Sequence, residues 1–279
     1  MGGVATDRSA EAKARELRAR LAQYGSAIVA FSGGVDSAYL AVETARTLGD
    51  RALAVTAQSP SYPASHRRQA LQVVHQFGFA HEFISTDEVL RPEYRANAPD
   101  RCYHCKHELF GRLESMAAQR GFGVVIDGSN ADDRLDVRPG RRAAREFGIE
   151  SPLDAVGLTK DEIRALSREL GLPTWDAQAS ACLSSRIPYH QVVTPEKLHQ
   201  IEIAEEVIAD LGFRVFRVRH HDAVARIELG RDEMLRALEP SVRDALVSRL
   251  KAIGYTYVSL DLQGYRLGSS NEPIRLRPV

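Results

Sequence analysis

The sequence predicts an α/β protein: a parallel sheet with helices on both faces, followed by a smaller C-terminal α+β domain. Three observations predict it. Short apolar runs alternate with helix-forming stretches through the first two thirds of the chain. A glycine-containing turn joins the first apolar run to a helix. Beyond about residue 188 the pattern changes to period-two alternation, typical of antiparallel strands with one wet face. We therefore expect domains at residues 1–188 and 189–279.

Composition and charge narrow the class of protein. The 279 residues, 44% hydrophobic and 27% charged, exclude a disordered chain, a collagen and a coiled-coil rod. Lys+Arg and Asp+Glu both number 37, so the formal net charge is +0 and no overall positive field holds long nucleic acid. No apolar run approaches the roughly 18 residues of a membrane helix, and residues 1–10 lack the apolar core of a signal peptide. We expect a cytoplasmic protein without a membrane partner.

The elements of the first domain follow from apolar spacing. A helix is predicted over residues 9–23, with Ser9 as its N-cap. Buried strands are predicted at 27–31, 53–57, 81–85 and 124–126. Further helices are predicted at 37–47, 66–77, 108–118 and 161–170, the last with a capping box of Thr159 and Glu162. Because ligands bind beyond the carboxyl ends of parallel strands, we expect the site at the loops after Phe31, Ala57 and Asp127.

The second domain is predicted from a different pattern. A long amphipathic helix covers residues 196–211. Period-two alternation then predicts strands at 213–219 and 223–229, joined as an antiparallel hairpin. A helix over 232–253 and a strand over 255–260 complete the domain.

The strongest functional signal is the loop Ser32-Gly33-Gly34-Val35-Asp36-Ser37, between the first strand and a helix. The glycines let backbone approach an anion, the helix N-terminus presents N–H groups, and the Ser32 and Ser37 hydroxyls add donors. Asp36 would repel phosphate unless a cation lay between them, so Mg²⁺ is implied. The loop is neither a Walker loop nor a dinucleotide fingerprint. A turn that merely needs glycine is the alternative, and the serines and the acid favour phosphate binding.

The three cysteines are Cys102, Cys105 and Cys182, which we expect in two polar, charged loops. An odd number in a reducing compartment argues against a disulfide framework. Four interpretations stay open. Three thiolates hold a [4Fe–4S] cluster with one open iron; Cys182 is a nucleophile or sulfur donor beside Arg186; a histidine, His104 or His107, completes a zinc site; or Cys182 is a small buried hydrophobic residue and the Cys102–Cys105 pair is incidental.

Longer strings carry a family resemblance. The phosphate loop resembles the signature of the PP-loop ATP pyrophosphatases (adenine-nucleotide alpha-hydrolase-like proteins), which split ATP into AMP and pyrophosphate to adenylate a substrate. Nearly the whole chain resembles the LarE family, sulfur insertases that help to build the nickel-pincer nucleotide of lactate racemase. The strings are residues 127–133, 138–140, 171–176, 179–189 and 261–269. The resemblance implies adenylation of a carboxylate of pyridinium-3,5-biscarboxylic acid mononucleotide and its conversion to a thiocarboxylate.

The expected ATP contacts are the loop and the end of the fourth strand: Ser32, Gly33, Gly34, Asp36, Ser37, Asp127 and Gly128, with Mg²⁺ at Asp36. Asp127 and Gly128 end a buried strand at the carboxyl edge of the sheet, where backbone lines an adenosine pocket, and a simple strand exit is the alternative for them. One branch of the family uses the cysteine matching Cys182 as a sacrificial sulfur donor. This chain resembles the other branch, in which a [4Fe–4S] cluster held by Cys102, Cys105 and the catalytic Cys182 serves sulfur transfer. The resemblance further implies a homo-oligomer, a hexamer in the family, and leaves the sulfide source open.

Substrate contacts are expected at three arginines. Arg217 and Arg219 lie two positions apart on a predicted strand, beside His220 and His221, and suit the phosphate of a mononucleotide. Arg186 is the third candidate. A solvated strand face is the alternative for the pair. Among the acids of the helix predicted over residues 196–211, Glu202, Glu205 and Glu206, the sequence does not select one.

Rival functions make different predictions. A tRNA thiolation enzyme predicts a basic surface and further cysteine pairs, against which the neutral charge argues. An amide-forming synthetase predicts a colourless protein active with ammonia or glutamine. A nucleotide-sensing module leaves the cysteines unexplained.

Overall fold

The fold comes from a computed structural model that describes residues 9–135, 139–177 and 181–266. These residues fall into two units. The first contains residues up to 59, 64–88 and 100–180, and the second contains residues 60–63, 89–99 and those from 181 onward. The domain boundary expected at residue 188 stays a prediction. Arg138, residues 179–180 and residues 267–269, which belong to the strings quoted above, lie outside the described residues.

A four-stranded parallel sheet forms the centre of the first unit, as predicted. Its strands are β1 (Ala27–Ala30), β2 (Ala52–Gln58), β3 (His81–Ser85) and β4 (Val124–Asp127), in the order β3-β2-β1-β4. Since β1 pairs with β2 on one side and β4 on the other, the strand order reverses at β1. The loop after β1 therefore occupies the position where ligands bind in open parallel sheets.

Helices cover both faces of this sheet. Their bounds are α1 (Ala10–Gln23), α2 (Val35–Leu48), α3 (Ala64–Phe77), α5 (Arg101–Arg120), α6 (Pro139–Glu146), α7 (Pro152–Ala155) and α8 (Lys160–Glu169). Ala27 and Val29 of β1 belong to one apolar cluster and Ile28 to another, so alternate side chains enter opposite layers. Each large apolar side chain buried there stabilises the fold by about 1.5–3 kcal/mol. The predicted caps of α1 and α8 are present, Ser9 at the first and the Thr159–Glu162 box at the second.

Helix α5 begins seven residues earlier than predicted, which corrects the expected loop around two cysteines. Cys102 and Cys105 lie in its first two turns. The first residues of α5 are polar and aromatic, so apolar spacing did not reveal this part of the helix. These residues pack against α6. The Arg142 guanidinium lies 3.6 Å from the centre of the Tyr103 ring, and the Tyr103 hydroxyl donates to Glu146 at 2.8 Å. The short helices α6 and α7 carry too few apolar residues for a periodic signal.

The second unit is built on a three-stranded sheet. The hairpin strands β5 (Phe216–His221) and β6 (Val224–Leu229) are antiparallel, as predicted, and β7 (Tyr257–Leu260) pairs parallel with β6. The helices of this unit are α4 (Pro92–Arg95), α9 (Pro195–Asp210) and α10 (Pro240–Ala252). Among residues 9–135, 139–177 and 181–266, no helix combines the length and apolarity needed to cross a bilayer.

Two predicted elements of this unit start later than expected, for local reasons. The helix predicted from residue 232 begins at Pro240, because proline holds the preceding Glu239 in an extended conformation (ψ 133°). The strand predicted from residue 213 begins at Phe216. The backbone N–H groups of Arg214 and Val215 donate to the Glu233 carboxylate instead of to a neighbouring strand.

Candidate active site

The loop after β1 forms a concave group of backbone and hydroxyl donors, here called the phosphate cradle (residues 32–37). Gly33 has φ +79°, and a Cβ there would lie 3.0 Å from the Cβ of Ala70, so both conformation and packing require glycine. The Ser32 and Ser37 hydroxyls lie 3.1 Å apart. Gly34 caps α2 without a side-chain acceptor, so the first N–H groups of the helix remain available to an anion.

The end of β4 closes one side of the cradle. A Cβ on Gly128 would lie 2.9 Å from the backbone nitrogen of Ser37, so β4 meets the first turn of α2 where only glycine fits. The neighbouring Asp127 carboxylate is buried and accepts from the Ser129 N–H, the Ser129 hydroxyl and the Ser151 hydroxyl at 3.1, 2.9 and 2.7 Å. Asp127 therefore shapes the loop after β4, while Gly128 brings backbone to the cradle.

A lysine that the sequence analysis missed reaches the cradle. The Lys160 ammonium donates to Asp36 Oδ2 at 2.5 Å. Burial raises the pKa of Asp36 above its ordinary value; Lys160 opposes this shift, and the nearby Asp133 reinforces it. Lys160 is the first residue of α8, where a cation is unfavourable for the helix dipole. A lysine immediately after a capping residue was the sequence signal that could have revealed it.

The chemistry of the cradle suits Mg²⁺ carried by a nucleotide. Asp36 Oδ1 is buried and has no hydrogen-bond partner among the residues that the structure describes. A hard carboxylate oxygen of this kind is a typical Mg²⁺ ligand, and Mg²⁺ usually takes only one or two carboxylates together with phosphate oxygens and water. Within residues 9–135, 139–177 and 181–266, no group of three or more His, Cys, Asp or Glu side chains is placed to hold a metal ion.

The cysteines divide between the two units. Cys102, exposed, and Cys105, half-buried, are three residues apart on α5 and so share one face of the helix. Cys182, also half-buried, belongs to the second unit, where it precedes a 3₁₀ turn at Leu183–Arg186. Of the two candidate histidines, His104 Nε2 lies 3.5 Å from Asp100, and the His107 ring packs on Phe147.

The second unit contains an arginine cluster of Arg186, Arg217 and Arg219. Arg186 is 2% exposed, and its Nε and Nη2 donate to the Glu205 carboxylate at 2.9 and 3.0 Å. Although burial opposes it, the cationic Arg186 and Arg217 keep the pKa of Glu205 below its ordinary value. Glu205, one of the three acids of α9 between which the sequence did not choose, is thus paired with the arginine cluster.

Arg217 and Arg219 lie on the same face of β5 but have different partners. Arg219 is buried, so the solvated strand face weighed above does not describe it. Its Nε and Nη2 donate to Glu228 at 3.0 and 2.8 Å, and its Nη1 donates to the Ser185 carbonyl at 2.9 Å. The Arg217 guanidinium lies 5.2 Å from the Tyr265 ring centre. Burial and the neighbouring Arg186 lower the pKa of Arg217, so an incoming anion would relieve the crowding of positive charge.

The sheet order, with a glycine cradle at the reversal point, defines a nucleotide-binding α/β protein of the PP-loop class. The chain is 34% identical over 269 residues to pyridinium-3,5-bisthiocarboxylic acid mononucleotide synthase of Lactiplantibacillus plantarum, covering 94% of this chain and 95% of that protein. The chain therefore belongs to the LarE family of ATP-dependent sulfur transferases, as its sequence predicted.

Two further relatives support the class. An uncharacterised protein of Synechocystis sp. is 41% identical over 261 residues, covering 94% of this chain and 97% of that protein. A glutamine-hydrolysing GMP synthase chain of Archaeoglobus fulgidus is 27% identical over 221 residues, covering 70% and 69% of the two chains. No protein-family model matches the sequence.

Proposed function

We propose that this enzyme uses ATP to adenylate a carboxylate of pyridinium-3,5-biscarboxylic acid mononucleotide and then converts the acyl adenylate into a thiocarboxylate of the nickel-pincer nucleotide pathway. The observation that carries the proposal is the phosphate cradle, with its Asp36–Lys160 pair, in a chain 34% identical to a bisthiocarboxylic acid mononucleotide synthase. The GMP synthase relatives are less similar and cover less of the chain, so an amide-forming reaction is the weaker candidate.

The first half-reaction forms a good leaving group. A substrate carboxylate oxygen attacks the α-phosphorus of ATP, the bond from that phosphorus to the bridging oxygen breaks, and pyrophosphate leaves with the bond electrons. The backbone N–H groups of the cradle and the hydroxyls of Ser32 and Ser37 stabilise the charge that develops on pyrophosphate. Mg²⁺, when held by Asp36 and the phosphates, supplies Lewis-acid stabilisation of the same charge. Lys160 then turns from Asp36 to a phosphate oxygen.

The second half-reaction transfers sulfur. A sulfur nucleophile attacks the acyl carbon, the bond from that carbon to the AMP oxygen breaks, and AMP leaves. Adenylation is required because a carboxylate oxygen is itself a very poor leaving group. We propose that Cys102, Cys105 and Cys182 are the thiolates of a [4Fe–4S] cluster, which would offer an open iron position for sulfide. Donation of the Cys182 sulfur itself is the alternative.

We propose that Arg217 binds the substrate phosphate. Burial and the neighbouring Arg186 lower the pKa of Arg217, so it gains most from a phosphate dianion. Arg219 is engaged by Glu228 through its Nε and Nη2 and by the Ser185 carbonyl through its Nη1, so we assign it to holding the strand that carries Arg217 in place of the phosphate contact expected from the sequence. We further propose that the enzyme works in the cytoplasm as a homo-oligomer, a hexamer by analogy with the family.

The deciding experiment analyses the products of the purified full-length enzyme given ATP, Mg²⁺ and the pyridinium mononucleotide. AMP and pyrophosphate, formed only with substrate present, are expected. ADP and orthophosphate would reject the proposal. Iron and sulfide analysis of anaerobically prepared protein, expected near four irons per chain, tests the cluster. Stoichiometric loss of the Cys182 sulfur mass during one turnover would replace the cluster route with the sacrificial one.

A further inference from the structure

The backbone that carries Cys182 is held by an unusual number of donors at one carbonyl. The Cys182 carbonyl oxygen accepts from the Ser185 N–H at 3.0 Å, the Ser185 hydroxyl at 2.8 Å and Arg186 Nη1 at 3.0 Å. The same Nη1 donates to the Ala181 carbonyl at 2.8 Å. One guanidinium nitrogen therefore fixes the two successive carbonyls that flank the Cα of Cys182.

The opposite edge of the Arg186 guanidinium is also occupied. Its Nε and Nη2 form a two-point contact with Glu205, whose Oε1 accepts in addition from the Val218 N–H at 3.1 Å. Arginine binds phosphate strongly through two parallel N–H donors on one edge. The Nε–Nη2 edge of Arg186 is bound to Glu205, and its Nη1 is bound to the Cys182 loop. The side chain is also only 2% exposed, so a substrate phosphate can neither reach Arg186 nor find a free pair of donors on it.

We propose that Arg186 is a positioning residue, which holds the Cys182 loop in the geometry for sulfur transfer, with Glu205 as its counter-charge. This replaces the substrate-binding role expected for Arg186 from the sequence, and it rests on the proposed function because it assigns Arg186 to the second half-reaction. Displacing a reacting group by about 1 Å costs on the order of a hundredfold in rate. Loosening this loop therefore slows sulfur transfer and leaves adenylation intact.

The test separates the two half-reactions in the variant Arg186→Lys, which keeps the charge but loses the planar fork. Pyrophosphate release, the KM for the mononucleotide and single-turnover thiocarboxylate formation are measured in the full-length protein. Pyrophosphate release and KM are expected to stay within about twofold of wild type, while sulfur transfer falls by at least about tenfold. Arg214→Lys, at a side chain that is 79% exposed, is the matched control and leaves both half-reactions unchanged.

Alkylation gives a readout that does not depend on the sulfur source. Iodoacetamide labelling of protein prepared without iron, followed peptide by peptide in a mass spectrometer, should be faster at Cys182 in Arg186→Lys than in wild type, because the half-buried loop is no longer held. Without a cluster that joins the cysteines, Cys102, on a helix of the other unit, is the internal reference and reacts at the same rate in both proteins. Should Arg186→Lys not fold, Ser185→Ala removes one donor to the Cys182 carbonyl and is expected to show the same signature more weakly.

Two outcomes overturn the proposal. A raised KM with unchanged sulfur transfer at saturating substrate makes Arg186 a substrate ligand. Equal losses in both half-reactions, with a lower Tm and unselective alkylation, leave it a purely structural role. ADP and orthophosphate from the wild-type enzyme reject the proposed function itself, so the two failures are distinguishable.

Discussion

At the scale of single residues, the contact between Lys160 and Asp36 sets the charge of the phosphate cradle. The two residues are 124 positions apart in the chain, and the pair exists only because α8 begins beside the first turn of α2. In the proposed reaction Asp36 would hold Mg²⁺, and the Lys160 ammonium would then donate to the phosphates. On this proposal Lys160 binds ATP although no sequence motif surrounds it.

Replacing Lys160 by glutamine should weaken ATP binding by about ten- to a hundredfold, the cost of one charge-assisted hydrogen bond. AMP, which lacks the β- and γ-phosphates, should bind as before. Isothermal titration with each nucleotide in the presence of Mg²⁺ measures both affinities. Lys197→Gln is the control, since Lys197 pairs with Asp222, at 2.8 Å, in the second unit. An equal loss for AMP and ATP would contradict the assignment.

Gly128→Ala should abolish tight ATP binding, because the new Cβ would meet the Ser37 backbone nitrogen at 2.9 Å and displace the first turn of α2. Gly111→Ala is the matched control. Its Cβ would have ordinary contacts of 3.4 Å to the Phe147 ring, and it lies inside helix α5, where alanine is favoured by about 1 kcal/mol. Tm and nucleotide affinity are measured for both. Normal ATP affinity in folded Gly128→Ala would show that β4 does not shape the cradle.

At the scale of elements, helix α8 connects local capping to ligand binding. Thr159 and Glu162 satisfy the orphan donors of its first turn, and Lys160 extends from that same turn to Asp36. The position of the ammonium therefore depends on how well the helix start is fixed.

Thr159→Ala should lower the free energy of unfolding by about 1 kcal/mol, through loss of the cap, and also weaken ATP binding. Ser9→Ala removes the equivalent cap of α1, which accepts from the Ala12 N–H, and should cost a similar free energy with no effect on ATP. Urea unfolding and nucleotide titration are run on both variants. If both lose ATP affinity equally, the start of α8 has no special part in binding.

The sequence predicts an element when the pattern that specifies it is local, and misses it when long-range contacts specify it. The parallel sheet, the cradle and the box of α8 follow from local patterns, and all are present in the structure. The start of α5 was missed, because Tyr103 and its neighbours pack on α6 and not in an apolar core. Likewise Glu205 could not be told from Glu202, because its identity depends on Arg186, a partner 19 positions away. Contacts between residues that are far apart in the sequence produce no periodic pattern, so sequence patterns do not predict them.

At the scale of the whole molecule, two buried carboxyls contribute to stability in opposite directions. Burial raises the pKa of Asp36, whereas Arg186 and Arg217 overcome burial to lower the pKa of Glu205. As pH rises from the ordinary carboxyl pKa to the raised pKa of Asp36, the unfolded chain binds fewer protons there than the folded one, so stability falls. Glu205 does the reverse. Its stabilisation is complete above the ordinary carboxyl pKa and disappears as pH falls through its lowered folded value.

The stability differences of Asp36→Asn and Glu205→Gln from wild type should therefore move oppositely between about pH 3 and pH 7. Relative to wild type, Asp36→Asn gains stability as pH rises. Glu205→Gln loses about 3–5 kcal/mol at neutral pH, because it leaves Arg186 buried with a broken pair, and its deficit shrinks in acid. Urea unfolding at a series of pH values measures both differences. Parallel curves would contradict the assigned shifts.

The pairing of Asp36 with Lys160 also has a bearing on selectivity. A pocket whose own cation and anion already neutralise each other exerts little long-range pull on passing orthophosphate or on nucleotide without its metal. To replace the Lys160–Asp36 contact, a ligand needs both a divalent cation for the Asp36 carboxylate and an anion for the Lys160 ammonium. If the proposed function holds, the resting enzyme should therefore prefer the magnesium complex of ATP to simple anions.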